Sequence, residues 1–239
     1  MAENQTRSQK LHDKLRLIIS GTKPGDRLLT EPELARQLGV SRATLREAMR
    51  TFETQGLIRR RQGAGTFVIH PSYIIESGLE VLESIETLAN RIGLNVMMGE
   101  LKVEYRSALK EEAEALNLET GDRVAYLSRV IQAEGRPVAF LVDILPEDIL
   151  NDDDLEKGFT GSVLDLLLRR GTPALVTSRT EINAVTATPE VARALGIQRG
   201  DVLLRFSAHL YAGSGRVVDY SFSYFLPGYF KFHVVRRVG

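Results

Sequence analysis

Three arginines, Arg42, Arg46 and Arg50, recur at every fourth position and share one stripe of any helix that carries them. A guanidinium is a fixed cation with a planar fork of donors. It can grip a phosphate, or the acceptor edge of guanine, with two hydrogen bonds at once. Leu45, Ala48, Met49 and Phe52 fall on another side of the same helix, so one face docks while the other is free to bind. A further arginine, Arg129, lies between Leu127 and Ile131 in an extended stretch, on a face that is otherwise apolar. A buried unpaired charge is costly. Either a carboxylate of the chain (Asp143, Asp219 or Glu181) supplies its counter-charge, or it grips a carboxylate or phosphate of a ligand.

The elements that must position the first group are short. Two helices, Glu31 to Leu38 and Ser41 to Gln55, are separated by Gly39 and Val40, with Ser41 placed to cap the second. Gly56 ends that helix. Leu57 to Arg61 then leads into Gln62-Gly63-Ala64-Gly65 and out through Thr66 to Ile69, a hairpin with a glycine tip. Helix, tight turn, second helix and wing form the winged helix-turn-helix arrangement, in which the start of the second helix faces base edges. An arginine stripe alone reads equally well as a solvated face, but its coincidence with turn and wing favours DNA. Thr6 to Ile19, with Leu11, Leu15, Ile18 and Ile19 at helical spacing, should be a preceding helix.

The chain of 239 residues, 43% apolar, can bury one or two ordinary cores. It has no cysteine, hence no disulfide, thiolate metal site or cysteine nucleophile, which fits a reducing compartment. Met1 to Lys14 is polar and charged, against a secretory leader, and no apolar run reaches membrane-spanning length. A cytoplasmic, nucleoid-associated protein with no membrane partner is expected. The formal net charge of zero hides an asymmetry. Up to His70 there are 13 Lys+Arg against 7 Asp+Glu, and beyond it 18 against 24, so a polyanion partner belongs at the head. The four histidines, at 12, 70, 209 and 233, lack metal-ligand spacing. Gly63-Ala64-Gly65 opens a strand and has no following lysine, unlike a phosphate loop, and no serine sits in a nucleophile elbow. No metal, cofactor or catalytic residue is expected.

Beyond the head, Tyr73 to Arg91 reads as a helix, with Leu79, Leu82, Ile85, Leu88, Ala89 and Ile92 on one stripe. The body carries an internal repeat: Ala115-Leu116-Asn117-Leu118-Glu119-Thr120-Gly121-Asp122 returns 79 residues later as Ala194-Leu195-Gly196-Ile197-Gln198-Arg199-Gly200-Asp201. Around each copy the pattern is strand, helix, strand, strand. Two such units predict an antiparallel sheet with their helices on one side, an α+β domain, with a further helix from Ser162 to Arg170 between them. The resulting division is 1–70 for the DNA-binding head, 71–92 for a helical linker and 93–239 for the body.

Lys23-Pro24-Gly25-Asp26-Arg27-Leu28, Glu33-Leu34-Ala35, Leu38-Gly39-Val40-Ser41-Arg42, Thr44-Leu45-Arg46-Glu47-Ala48, Gly56-Leu57-Ile58 and Gly65-Thr66-Phe67-Val68 resemble the DNA-binding domain of GntR-type bacterial transcription regulators. The resemblance implies DNA contacts from Ser41, Arg42, Thr44, Arg46 and the wing residues Gln62 and Gly63, and Glu33, Arg50 and Gly65 complete the expected DNA-binding set. Pro32 stands where many members have an arginine, so one family contact is missing or replaced. In the body, Leu127, Arg129, Gly135-Arg136-Pro137-Val138, Leu145-Pro146, Gly161-Ser162-Val163, Gly200-Asp201 and Asp219-Tyr220-Ser221 resemble the UTRA effector-binding domain of the HutC subfamily, whose fold is like that of chorismate lyase. That likeness implies a small-molecule pocket between sheet and helices, with Arg129, Leu141, Ser162, Asp219, Tyr224 and Phe225 at or near effector positions. Ser162 is as readily a plain helix cap, and aromatics at such places are more often core. Ile131 and Leu141 replace an arginine and a glutamate of members that bind phosphorylated amino sugars, which points to a less polar anion. The expectation is a dimeric, sequence-specific repressor released from operator DNA by a small, anionic effector. The alternatives are an enzyme domain of chorismate-lyase type on a DNA-binding head, and a nucleoid binder without a ligand.

Overall fold

Leu11, Leu15 and Ile19 stand one helical turn apart and form the buried stripe of α1 (Arg7–Gly21). They pack with α2 (Glu31–Leu38), α3 (Arg42–Thr54) and a two-stranded wing, β1 (Ile58–Arg61) and β2 (Gly65–Val68). In this computed structural model, which describes residues 7–23, 25–54, 56–61, 63–68, 74–150, 152–156 and 159–238, the chain forms two compact units. The first runs to Ile74 and includes Pro227–Tyr229. Its core is Leu15, Leu34, Leu45, Met49, Phe52 and Ile58, all fully buried.

Local signals explain the head. Thr30 caps α2: its N–H and hydroxyl both bond the Glu33 carboxylate, at 2.9 and 2.6 Å. Pro32 sits in the first turn, where a missing N–H costs nothing. Gly39, at φ +66°, makes the left-handed turn that stops α2 and leaves only Gly39, Val40 and Ser41 before α3 begins. The Ser41 hydroxyl caps α3 by accepting from the Thr44 N–H at 3.1 Å. The expected helices agree to within one or two residues at these ends, and the wing pairs Ile58 with Val68 and Arg61 with Gly65. Gln55, Gln62 and the boundary at His70-Pro71-Ser72 lie outside the described residues.

The second unit is built on a six-stranded antiparallel sheet in the order β4 (Val96–Ser107), β5 (Arg123–Ala133), β6 (Arg136–Pro146), β9 (Val217–Phe225), β8 (Val202–Ala212), β7 (Leu175–Thr186). The repeat is legible in that order. Each copy contributes three adjacent strands, and the copies meet where β6 pairs β9, with Val142 opposite Phe222. Each hairpin carries one extra residue on its second strand. Val138 lies between the pairs Ile131–Ala139 and Gln132–Pro137, and Val218 between Leu210–Asp219 and Tyr211–Val217. The helices of the repeat, α5 (Lys110–Leu116) and α8 (Pro189–Leu195), share one face, where Arg106 of β4 grips Glu112 of α5 at 2.7 Å. Between β6 and β7 lie the short α6 (Asp152–Glu156) and α7 (Val163–Arg170). α7 covers the other face, its Val163, Leu166 and Leu167 packing with Ala125, Leu127, Leu145 and Leu210.

One expectation is corrected. Tyr73 to Arg91 is not a single helix: Ile75–Gly78 is a strand, β3, and only Ile85–Arg91 is helical, as α4. β3 runs parallel to β10 (Phe230–His233), some 150 positions along the chain, with Ile75 opposite Phe230. Ser84 then starts α4 by capping the Thr87 N–H at 3.0 Å. A distant partner and a local cap override a hydrophobic stripe that is apolar enough for a helix.

Phe52→Ala should cost the head about 3–5 kcal/mol, because its ring fills a closed core. The urea midpoint of the full chain's head transition should fall accordingly, and an unchanged midpoint would mean that the core is organised elsewhere.

Candidate nucleic-acid interface and ligand site

α3 turns Leu45, Ala48, Met49 and Phe52 inward and leaves Arg42 and Arg46 exposed, with Arg50 half-buried. Arg46, 58% exposed, is not loose: its Nε bonds Glu31 of α2 at 2.6 Å. The same glutamate lies 3.6 Å from Arg60 of the wing. An ion pair this exposed adds little stability, but it fixes the direction of the fork. Arg50 lies 3.7 Å from Glu47, and Arg42 has no ion pair among the described residues. Ser41 and Thr44 share a 2.8 Å hydrogen bond at the open start of α3. Glu33 faces Thr30, whose hydroxyl and N–H hold its carboxyl below the usual range. In the wing, Gly63 at φ +75° is exposed and Gly65 at φ +114° lies against the Arg27 side chain, while Arg61 sits 5.2 Å over the Phe67 ring. A cationic, backbone-exposed edge thus joins α3 to β1.

In the second unit, the face under α7 sets Leu101, Arg129, Leu141, Ser223, Phe206 and Ile182 in one row across the sheet. The next row is Val103, Leu127, Asp143, Ser221, Ala208 and Thr180. Arg129, 4% exposed, pairs with Asp143, donates its Nε–H to the Gly161 carbonyl and lies 5.9 Å from the Phe159 ring. Of the two readings of this cation, the internal counter-charge is the one realised. The expectation of an anionic ligand therefore loses its starting argument. Glu181 is elsewhere, exposed on β7 and 3.4 Å from Arg179.

Two more carboxylates flank the pair. Asp219, 5% exposed, is hydrogen-bonded by Ser221 and the Ile144 backbone, yet its Oδ1 has no partner among the described residues. Burial, then the charge of Asp143, pushes its pKa well above the carboxylate range against the opposing pull of Arg129. Glu86 of α4 is also raised, chiefly by burial, and its Oε1 is likewise unpartnered. It lies against Gly161, where a Cβ would come within 3.1 Å of that oxygen on a backbone already at φ +112°. Ser162 is buried and caps α7, accepting from the Asp165 N–H at 3.0 Å. Asp165 in turn accepts 2.7 Å from Ser84, which caps α4.

Of the residues expected at a ligand, Arg129, Leu141, Asp219 and Phe225 share this face, with Ser162 above it. Tyr224 does not: it pairs with Phe140 and Arg205 and points to the opposite face, its ring 6.2 Å from Phe140. Adjacent strand residues alternate, so Tyr224 and Phe225 cannot line one site. Sequence reasoning missed Glu86, Ser221, Ser223 and Phe206. It also missed the aromatic wall in which Phe206 lies 5.0 Å from Phe225 and 4.6 Å from Phe232 of β10. Strand alternation gives a signal for the β8 and β9 residues, but none was available for β10. Among the described residues, no His, Cys, Asp or Glu cluster is arranged for a metal, and no helix is long and apolar enough to cross a membrane.

An arginine-bearing winged helix-turn-helix, joined to a sheet whose inner face carries a polar cluster beside aromatics, is the plan of a DNA-binding transcription regulator with an effector domain. Residues 8–68 match the family described as bacterial regulatory proteins, gntR family, and residues 93–231 match the UTRA domain. The chain belongs to the GntR family, as a member with a UTRA domain. It is 30% identical over 193 residues to the histidine utilization repressor of Pseudomonas putida, spanning 80% of this chain and 75% of that one. It is also 27% identical to the HTH-type transcriptional repressor NagR of Bacillus subtilis, over 88% of this chain and 86% of the relative. The fold is that of PhnF from Mycobacterium smegmatis, with a TM-score of 0.65, 22% identity and coverage of 96% of this chain and all of that one.

Two stability outcomes follow from the buried cluster. Arg129→Ala should cost about 3–5 kcal/mol by stranding Asp143, lowering the melting temperature. Asp219→Asn should do the reverse at neutral pH. A carboxyl whose pKa is raised by folding binds its proton more tightly in the folded chain, so its ionisation opposes folding as pH climbs above the unfolded value, about 3.9. The melting curves of the variant and the parent should converge near pH 3 and separate above it, with the variant the more stable. A constant difference would deny the raised pKa.

Proposed function

We propose that the protein is a dimeric transcriptional repressor whose heads each read half of a near-palindromic operator and whose bodies take a small-molecule effector. Residues 1–70 serve as the reader, 71–92 as the connection and 93–239 as the sensing and dimerising part. Arg42 and Arg46 supply the base and phosphate contacts, aided by Ser41, Thr44, Arg50, Glu33 and the wing residues Gln62, Gly63 and Gly65. The observation that carries this reading is the outward pair Arg42 and Arg46 on the open side of α3, with Glu31 holding Arg46 in place. The names of the relatives above, two repressors, support the sign of regulation. The same reading makes the chain a non-enzyme working on the nucleoid in the cytoplasm.

Effector and operator are linked only if the effector prefers one arrangement of the dimer, since a ligand with equal affinity for both shifts nothing. Arg129, Leu141, Ser162, Asp219 and Phe225 belong to the sensing site. Arg129 acts there while held by Asp143.

Fluorescence anisotropy on a fragment of the protein's own promoter tests the reader. Arg42→Ala and Arg46→Ala should each weaken specific binding about tenfold or more while far-UV dichroism stays native. A lost phosphate contact should also reduce the salt slope by about 0.9. Wild-type affinity in both variants would remove α3 from the interface.

A further inference from the structure

The sheet face under α7 has a floor of small side chains. Ser221, Ser223 and Ala208 are only half-buried on the neighbouring strands β9 and β8, whereas the same face on the β5–β6 side is closed by Leu127, Ile131 and Leu141. On one side of that floor stands the aromatic wall of Phe206, Phe225 and Phe232. On the other lie one guanidinium, Arg129, and three carboxylates, Asp143, Asp219 and Glu86. Only the Arg129–Asp143 pair is matched. Asp219 sits two residues along β9 from Ser221, on the same face and withdrawn from water, with an oxygen that has no hydrogen-bond partner among the described residues. Glu86 approaches the pair from α4 with a second such oxygen.

A buried acceptor with no donor is paid no return by folding and marks a place for an outside partner. The charge count decides the partner's sign. A carboxylate or phosphate would enter a group of three carboxyl groups whose one cation among the described residues, Arg129, is already engaged by Asp143, whereas a protonated nitrogen would be met by acceptor oxygens and would itself favour the ionised form of Asp219. We propose that the effector is a compound with a protonated nitrogen, an ammonium or guanidinium carried on an aromatic or apolar body, and that Asp219, seconded by Glu86, receives that nitrogen. This deepens the effector-site reading above and rests on it. The body lies on Ser221 and Ser223 against Phe206, where a ring face also favours a cation. Arg129 keeps Asp143 in place and orients the site from the side.

The full-length protein is titrated at fixed ionic strength with benzylammonium and phenylguanidinium, and with the anionic isosteres benzoate and phenyl phosphate. Melting temperature and calorimetric binding are the readouts. The cations should raise the melting temperature at millimolar concentration and the anions should not. Asp219→Asn and Glu86→Gln should each weaken the cation about tenfold, while Phe206→Ala should weaken it without altering the preference of sign. Stabilisation by the anions, lost in Phe206→Ala, would overturn the ligand class and leave the site standing. Cation binding indifferent to Asp219→Asn, Glu86→Gln and Phe206→Ala would overturn the site as well. Failure of both cations to bind would reject the proposal outright.

Discussion

A guanidinium buried at the centre of a sheet has to be met by a fixed negative charge, and Arg129 meets Asp143 one row away on the neighbouring strand. Much of the second unit is tied to that match. The Arg129 Nε–H reaches the Gly161 carbonyl, which fixes the residue before the cap of α7. From there a relay of short polar contacts continues: Ser162 caps Asp165, and Asp165 takes the hydroxyl of Ser84, which caps α4. The sheet, α7 and α4 are therefore joined by hydrogen bonds as well as by apolar packing. Hydrogen bonds are directional, so a change at the sheet face is felt at two helix starts. A domain of this family that must report occupancy gains from such a relay, because a packed interior does not deform continuously.

The head solves a different electrostatic problem. Its arginines must remain solvated and available, yet long side chains lose entropy when a complex fixes them. Glu31 holds Arg46 in one direction before any DNA arrives, and lies close to Arg60 from the wing. If Arg46 contacts DNA as proposed, association would exchange one anion for another rather than order a free chain. Arg42, with no ion pair among the described residues, has no such restraint.

What could be read from the residue order followed from interactions that are local or repeated. The turn at Gly39, the cap at Ser41 and the stripe of Leu45, Met49 and Phe52 fix α2 and α3 nearly to the residue. The copy of Ala115–Asp122 at Ala194–Asp201 marks each half as strand, helix, strand, strand, since a duplicated unit repeats its hairpins, while the order in which the six strands pair comes from the structure. The strand at Ile75–Gly78 was hidden because its partner, Phe230–His233, lies at the far end of the chain. Asp143 was one of three carboxylates on offer, and only the register of β5 against β6 selects it. Glu86 gave no sign at all, because its role depends on where α4 lands. Tyr224 was misplaced for want of a rule already in hand, the alternation that sends it and Phe225 to opposite faces.

The two extra valines, Val138 and Val218, have a consequence out of proportion to their chemistry. Side chains along a strand take opposite faces by turns, and one inserted residue exchanges odd positions for even ones in everything that follows. Downstream of Val218 the odd numbers, Asp219, Ser221, Ser223 and Phe225, look toward α7, while Tyr220, Phe222 and Tyr224 look away. Which of these two alphabets the sensing face is written in, acid and serine or tyrosine and phenylalanine, is decided by counting: a buried, unreactive valine at the mouth of a hairpin sets the parity of the strand.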